Sequence, residues 1–259
     1  MTPSPCIWLI GGTSESAAIA QALVEEQIPC RVTVTTPQAV ELYPVADCLT
    51  VQVEALTPEQ LAPFIQTHQV RAIVDASHPH AVVISQQAIG VAAQLALPYF
   101  RYERPDVTAE NPWVSTLSDW DSLLAGNDLI NQRVLLIIGY RHLHRFASWH
   151  DRATLFARIL PSLTALTAAQ AAGFTARRLI ALRPPISPEL EAALWRQWNV
   201  SLVVAKASGA AGGEDIKQQV AAQLQIPLLI IARPPLTYPQ QTSDLPTIVA
   251  FCKQHLLND

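Results

Sequence analysis

Apolar residues along this chain fall in short uninterrupted runs. The runs alternate with longer stretches in which apolar and polar positions recur at helical spacing. The runs predict strands at 6–10, 31–35, 48–52, 71–75, 98–101, 134–138, 153–157, 178–182, 200–204 and 227–231. The helical stretches predict helices at 14–26, 57–68, 81–95, 163–172, 188–197, 214–224 and 244–257. A strand that is apolar at every position, not at every second one, is buried on both faces. Such strands alternating with helices specify an α/β fold built on parallel sheets.

The pattern also repeats. "AAQLALPYFRYERP" (92–105) is echoed by "AAQLQIPLLIIARP" (221–234), with Pro98 on Pro227, Arg104 on Arg233 and Pro105 on Pro234, each 129 residues apart. At the same offset "VRAIVDAS" (70–77) falls on "NVSLVVAK" (199–206), and at 128 "IWLIGG" (7–12) falls on "LLIIGY" (135–140). Two similar halves are therefore expected, each a Rossmann-like parallel-sheet domain, with a ligand cleft between them. The expected division is 1–125, the dinucleotide-binding half, and 126–259, with the last helix (244–257) packing on either. The joining segment carries Pro105, Pro112 and the loop "AGND" (125–128), as a linker does.

Composition narrows the class. Half of the 259 residues are hydrophobic and the net charge is −4. A nucleic-acid binder needs a basic face, so none is expected as a partner. No apolar run approaches the roughly 20 residues that span a bilayer, and the first positive side chain is Arg31, so neither a membrane span nor a signal peptide is expected. Cys6, Cys30, Cys48 and Cys252 lie far apart without a C-x-x-C pair. They read as free buried thiols in a reducing cytoplasm.

Candidate chemistry gathers where strands end. Of nine glycines, six follow predicted strands: Gly11, Gly12, Gly139, Gly209, Gly212 and Gly213. Those turns line the carboxyl edge of a parallel sheet, where such folds bind ligands. In "IWLIGGTSES" (7–16), Gly11, Gly12, Thr13 and Ser14 can hold a pyrophosphate at a helix start, although without a full G-x-G-x-x-G they serve equally as a tight turn. Thr35 and Thr36 stand where a NAD site carries an acid, which leaves room for a 2′-phosphate. In "VVAKASGAAGGEDIK" (203–217), Lys206, Ser208 and Gly209 suit a phosphate or carboxylate, the plainer alternative being a solvated lysine on a loop. Arg101, Arg104, Arg141 and Arg233 follow strands at corresponding places in the two halves and can face a polyanion. "VDASHPHAVV" (74–83) offers His78 and His80, and "GYRHLHR" (139–145) offers His142 and His144. Two H-x-H pairs without a supporting cysteine or carboxylate make a weak case, and no metal is expected. Pro79 is expected to open the helix near Ala81, with Ser77 or His78 at its cap and Asp75 bracing the loop.

The ordered set GGTSES, DASHPHA, RYERP, GYRHL, ALRPP (181–185), KASG and ARPP resembles the precorrin-6A reductase family of cobalamin biosynthesis, over about residues 7–235. The resemblance implies two Rossmann-like domains, NADPH (NADH in some members) as cofactor, and reduction of a ring-carbon double bond of precorrin-6A or its cobalt form. The implied substrate is a carboxylated tetrapyrrole, for which Arg101, Arg104, Arg141 and Lys206 are the candidate contacts. Gly11, Gly12, Thr13, Ser14, Thr35, Ser77, Lys206, Ser208 and Gly209 would then attend the cofactor, and His78 would be the candidate catalytic residue. The implied setting leaves room for transient contact with neighbouring pathway enzymes. Two departures stand out: His80 replaces an aromatic residue, and Ala207 replaces an asparagine. Two other functions suit paired dinucleotide folds: a nucleotide-sugar glycosyltransferase and a non-catalytic NADP(H)-binding redox sensor.

Overall fold

The structure, a computed structural model, describes residues 4–107 and 111–257. Its elements begin with β1 (Cys6–Ile10), α1 (Ser14–Glu25), β2 (Cys30–Val34), α2 (Pro37–Val40), β3 (Leu49–Val53), α3 (Pro58–Thr67), β4 (Val70–Asp75), α4 (Val82–Gln94) and β5 (Tyr99–Tyr102). They continue with β6 (Val114–Leu117), α5 (Trp120–Ala125), β7 (Arg133–Ile137), a 3₁₀ helix (Tyr140–Trp149), β8 (Thr154–Ile159), α6 (Leu163–Ala171) and β9 (Leu179–Ala181). The last are α7 (Pro188–Gln197), β10 (Leu202–Lys206), α8 (Glu214–Leu224), β11 (Leu228–Ile231), β12 (Gln241–Thr242) and α9 (Leu245–Leu257).

Two six-stranded sheets form, in the orders β12-β5-β4-β1-β2-β3 and β6-β11-β10-β7-β8-β9. Every pairing is parallel. Strand alternation explains why the strands are apolar throughout. Ile7 and Leu9 of β1 pack under α1 and α9, while Cys6, Trp8 and Ile10 pack with residues of α3 and α4 on the other face. The second sheet is likewise clad, by α5, α6 and the 3₁₀ helix on one side and by α7 and α8 on the other. Strand order reverses between β1 and β4, and again between β7 and β10, so each sheet has the crevice that doubly wound folds use for ligands.

The 129-residue echo is visible in three dimensions, since β5 and β11 differ by that offset at both ends. Each sheet also takes its sixth strand from an unexpected place. β6, which follows β5 in the chain, pairs with β11, and β12, which follows β11, pairs with β5. The compact units are accordingly residues up to Pro105 together with those from Pro235, and Asp106–Pro234. The expected boundary at 125/126 falls inside the second unit, because β6 and α5 belong to that unit's sheet and core. The last helix joins the first unit, where Ile248, Phe251 and Cys252 pack with Ile7, Leu9 and Leu23.

Local chemistry explains the remaining elements. α1, α5, α6 and α7 start at Thr13, Asp119, Ser162 and Ser187, whose side chains accept from backbone N–H groups of the first turn. The 3₁₀ helix buries Leu143, Phe146 and Trp149. Their spacing of three matches the three residues per turn of that helix. α4 departs from expectation: its N-cap is Ala81 and has no side-chain cap, while Ala81 N–H donates to His78 O at 2.7 Å in the preceding turn.

Candidate active site at the sheet edges

In the first unit the turn after β1 is built around Tyr43. Gly12 N–H donates to the Tyr43 hydroxyl at 2.7 Å, and that hydroxyl lies 2.6 Å from Ser16 Oγ. Ser16 spends its own proton on Thr13 O at 2.8 Å, so Tyr43 is the donor to Ser16. Thr13 is buried; its hydroxyl donates to Ala76 O at 2.8 Å and accepts from Ser16 N–H at 3.1 Å. Thr13 therefore caps α1 and ties the β1 turn to the β4 loop. Gly11 N–H is bound to Thr33 O at 3.0 Å. Gly11, Thr13 and Ser16 thus serve packing and capping. What the turn exposes is Gly12, at φ +101° with open space where a side chain would point, and Ser14 at the first helical position. Thr35 is exposed just past β2.

At the end of β4, Asp75 is fully buried and accepts four hydrogen bonds. The donors are Arg101 Nη1 (2.9 Å), Ser77 N–H (3.0 Å), the Ser85 hydroxyl (2.6 Å) and the Tyr99 hydroxyl (2.7 Å). Burial, then the Asp75 charge, pushes the Tyr99 phenol well above its usual range, so it remains a donor. Arg101 Nε reaches Glu103 at 2.8 Å, Nη1 reaches Ser77 Oγ at 3.1 Å, and the guanidinium lies 5.2 Å from the Tyr238 ring centre. Arg101 is 1 % exposed, so it is an internal counter-ion and not a ligand contact. The reason is register: it sits within β5 directly beside Asp75, not beyond the strand. Ser77 is buried in the same network. Arg104 is nearly buried against Glu15 at 2.7 Å, which places it at the start of α1.

The network holds the loop that carries His78. His80 N–H donates to His78 Nδ1 at 3.2 Å, so a neutral His78 ring carries its proton on Nε2. His78 is half-buried, and the two imidazole centres are 5.7 Å apart. In the second unit His142 stacks on Trp120 at 4.7 Å, and burial, aided by Lys206 and nearby basic residues, pushes it down to about 4. Among the described residues no group of three or more His, Cys, Asp or Glu has the geometry of a metal site.

The glycine loop after β10 differs from its expected form. Ser208 N–H and Gly209 N–H both donate to Glu214 Oε2, at 2.7 and 2.8 Å. The carboxylate of the first residue of α8 therefore fills the nest that "KASG" was expected to offer a phosphate. Lys217 is buried and donates to Gly212 O and Gly213 O at 2.7 and 2.8 Å. Pro184 and Pro185, from the ALRPP stretch, and the following Ile186 line one cavity with Ala211, Gly212 and Gly213. Lys206 is the last residue of β10 and is half-buried, and Arg141 is exposed at the start of the 3₁₀ helix. Arg233 is paired with Asp106 at 3.1 Å.

A family model described as Precorrin-6x reductase CbiJ/CobK matches residues 6–253. The chain belongs to that family. It is 48% identical to the cobalt-precorrin-6A reductase of Synechocystis sp., over 96% of this chain and 97% of the relative. It is 34% identical to the cobalt-precorrin-6A reductase of Priestia megaterium, over 90% and 92%. A solved structure titled CobK precorrin-6A reductase shares the fold, with a TM-score of 0.79 over 97% of both chains at 22% identity. As a precorrin-6x reductase the protein is an oxidoreductase of cobalamin biosynthesis acting on a CH–CH bond, which sets aside the glycosyltransferase and sensor readings.

A reductase of this family uses a nicotinamide cofactor. The first unit fits a dinucleotide on its own geometry. The β1 turn lies at the strand reversal, its Gly12 backbone is exposed, and α1 presents its N-terminal N–H groups there. The second unit's glycine loop does not offer the same nest, because Glu214 already occupies it. Sequence reasoning missed Tyr43 and Glu214. Tyr43 lies 31 residues from the turn it organises and has no local signature. An acid directly after a glycine-rich loop was the available sign for Glu214.

Proposed function

We propose that the protein reduces a ring-carbon double bond of cobalt-precorrin-6A with hydride from NADPH, in the cytoplasm. The observation that carries the cofactor assignment is the exposure of Gly12 and Ser14 in the turn at the strand reversal, with Thr35 in place of an acid just past β2. Gly12 and Ser14 face the pyrophosphate, and Thr35 faces the 2′-phosphate. Gly11, Thr13 and Ser77 support this surface from within. The cobalt-bound substrate follows the names of the Synechocystis and Priestia relatives. Within the second unit, Arg141 and Lys206 are the cations that suit substrate carboxylates. His78, whose neutral ring carries its proton on Nε2, is the candidate hydrogen-bonding residue of the first unit. The bound nicotinamide supplies hydride; the chain's share is to orient it and exclude water. The helices among the described residues include none long and apolar enough to cross a membrane, in keeping with this setting.

Cofactor preference tests the assignment. Tryptophan fluorescence quenching should show NADPH binding about tenfold or more tighter than NADH, and Thr35→Glu should reverse most of that difference by setting a carboxylate against the 2′-phosphate. Equal binding of the two nucleotides by the native chain, or a variant without effect, would contradict the placement.

A further inference from the structure

We infer that the second unit holds a binding pocket for a short aliphatic carboxylate, formed where Pro185 meets the glycine loop, with the Arg158 guanidinium as its base. Every residue of the pocket lies within Asp106–Pro234, so the second unit is sufficient for it. The inference goes beyond the reductase reading, which bears only on which carboxylate the pocket receives.

Four observations carry the assignment. The first is the cavity, of about 70 Å³, which is more room than the roughly 10–15 Å³ that one water needs. Pro185 and Ala211 are exposed and form its rim, Ile186 and Ile216 give apolar walls, and the buried Arg158 and Glu191 form its floor. The second is the state of Arg158, which is 8 % exposed. Its Nη1 donates to Glu191 Oε2, while among the described residues its Nε and Nη2 have no hydrogen bond. Those two nitrogens share one edge of the guanidinium, the edge that takes a carboxylate through two parallel bonds. Glu191 has its other oxygen on the Trp195 indole N–H at 2.8 Å. For stability alone an apolar residue would serve as well at this place in β8, "TLFARI", and leave no donor unmatched. The third is that the neighbouring charges are already engaged. Lys217 donates to Gly212 O and Gly213 O, and Glu214 accepts from Ser208 and Gly209 N–H groups. The cluster therefore holds two buried cations, Arg158 and Lys217, and two buried carboxylates, Glu191 and Glu214. Such a balance suits a monoanion and not a phosphate dianion, and the apolar walls suit methylene groups. The fourth is the start of α8. Its N-cap, Gly213, has no side chain to offer, and among the described residues the N–H groups of Asp215 and Ile216 have no acceptor. Gly213 and Ile216 both line the cavity, so this helix start faces an anion placed there, while the Asp215 carboxylate is exposed.

The test reads binding at the pocket floor in the full chain. With ¹⁵N-labelled indoles the six tryptophans give six signals, and the one lost in Trp195→Phe reports on Glu191 and, through it, on Arg158. Propionate should move that signal saturably, with a Kd of about 10 mM or below. Propionamide, which lacks the charge, and inorganic phosphate should bind at least about tenfold more weakly. Ala211→Glu sets an anion at the exposed rim and should weaken propionate about threefold or more, whereas Ala211→Lys should not weaken it. The double variant Arg158→Met with Glu191→Gln removes the guanidinium without leaving a lone buried charge, and it should abolish the response. No saturable movement up to about 100 mM propionate, an equal response to propionamide or phosphate, or a response that survives in the double variant overturns the assignment. Adding cobalt-precorrin-6A then separates two sources of the carboxylate. Displacement of propionate assigns the pocket to a side arm of the macrocycle, and undisturbed propionate assigns it to a free carboxylic acid. A chain that binds propionate but never oxidises NADPH with the corrinoid keeps the pocket and loses the reductase reading.

Discussion

Replacing Asp75 by alanine is expected to cost about 3–5 kcal/mol of stability. The carboxylate is fully buried and accepts from Arg101, Ser77, Ser85 and Tyr99. Its removal strands a guanidinium that is 1 % exposed, and Glu103 alone does not replace it, since Glu103 meets Nε and not Nη1. The same change frees the Ser77 backbone, and with it the loop that presents His78. The loss should therefore appear both as a lower urea midpoint and as reduced turnover in the fraction that remains folded. Asp75→Asn keeps the shape and one acceptor but loses the charge, so it should fall between native and alanine. An alanine variant within about 1 kcal/mol of native would show that the buried pair is not the brace of this edge.

The second large effect is expected at Gly11. A Cβ there would lie 2.2 Å from the Tyr43 hydroxyl and 2.8 Å from Val32 Cγ1, and Val32 is fully buried. Something must move, and the movable group is Tyr43, whose hydroxyl holds Gly12 N–H and Ser16. Gly11→Ala should therefore destabilise the first unit by about 1–3 kcal/mol through overpacking. It should also weaken NADPH about tenfold or more, because the exposed turn loses its shape. Tyr43→Phe removes the clashing oxygen. In the double variant Gly11→Ala with Tyr43→Phe, the combined cost should be clearly less than the sum of the two single costs. Strict additivity would place the damage elsewhere than in this contact.

Much of this architecture was legible because its physics is local. Strands such as "CIWLI" and "LVVAK" are apolar on both faces, and only a sheet covered on both sides buries them. The echo between 92–105 and 221–234 revealed the two halves. What stayed hidden depended on register and on distant partners. β12 has two residues, and "VSTL" of β6 is partly exposed, so neither shows the pattern of its neighbours. Those two strands decide which unit the chain segments join, which is why the expected boundary at 125/126 was displaced. Arg101 looked like a ligand contact because it follows an apolar run, and only the pairing of Asp75 with Arg101 shows that it faces inward. His78, Gly12, Ser14, Thr35, Arg141 and Lys206 were legible as candidates because each ends or follows a strand in a sheet whose strands are all parallel. Among the described residues these side chains and backbones retain a surface for ligands, whereas Thr13, Ser77 and Arg101 are sealed.

The most direct measurement is a single-turnover reaction of the purified protein with cobalt-precorrin-6A and NADPH under anaerobic conditions, followed by absorbance at 340 nm and by mass. One equivalent of NADPH should be oxidised for each macrocycle, and the corrinoid should gain two hydrogen atoms. No oxidation of NADPH with either the cobalt-bound or the metal-free substrate would contradict the account.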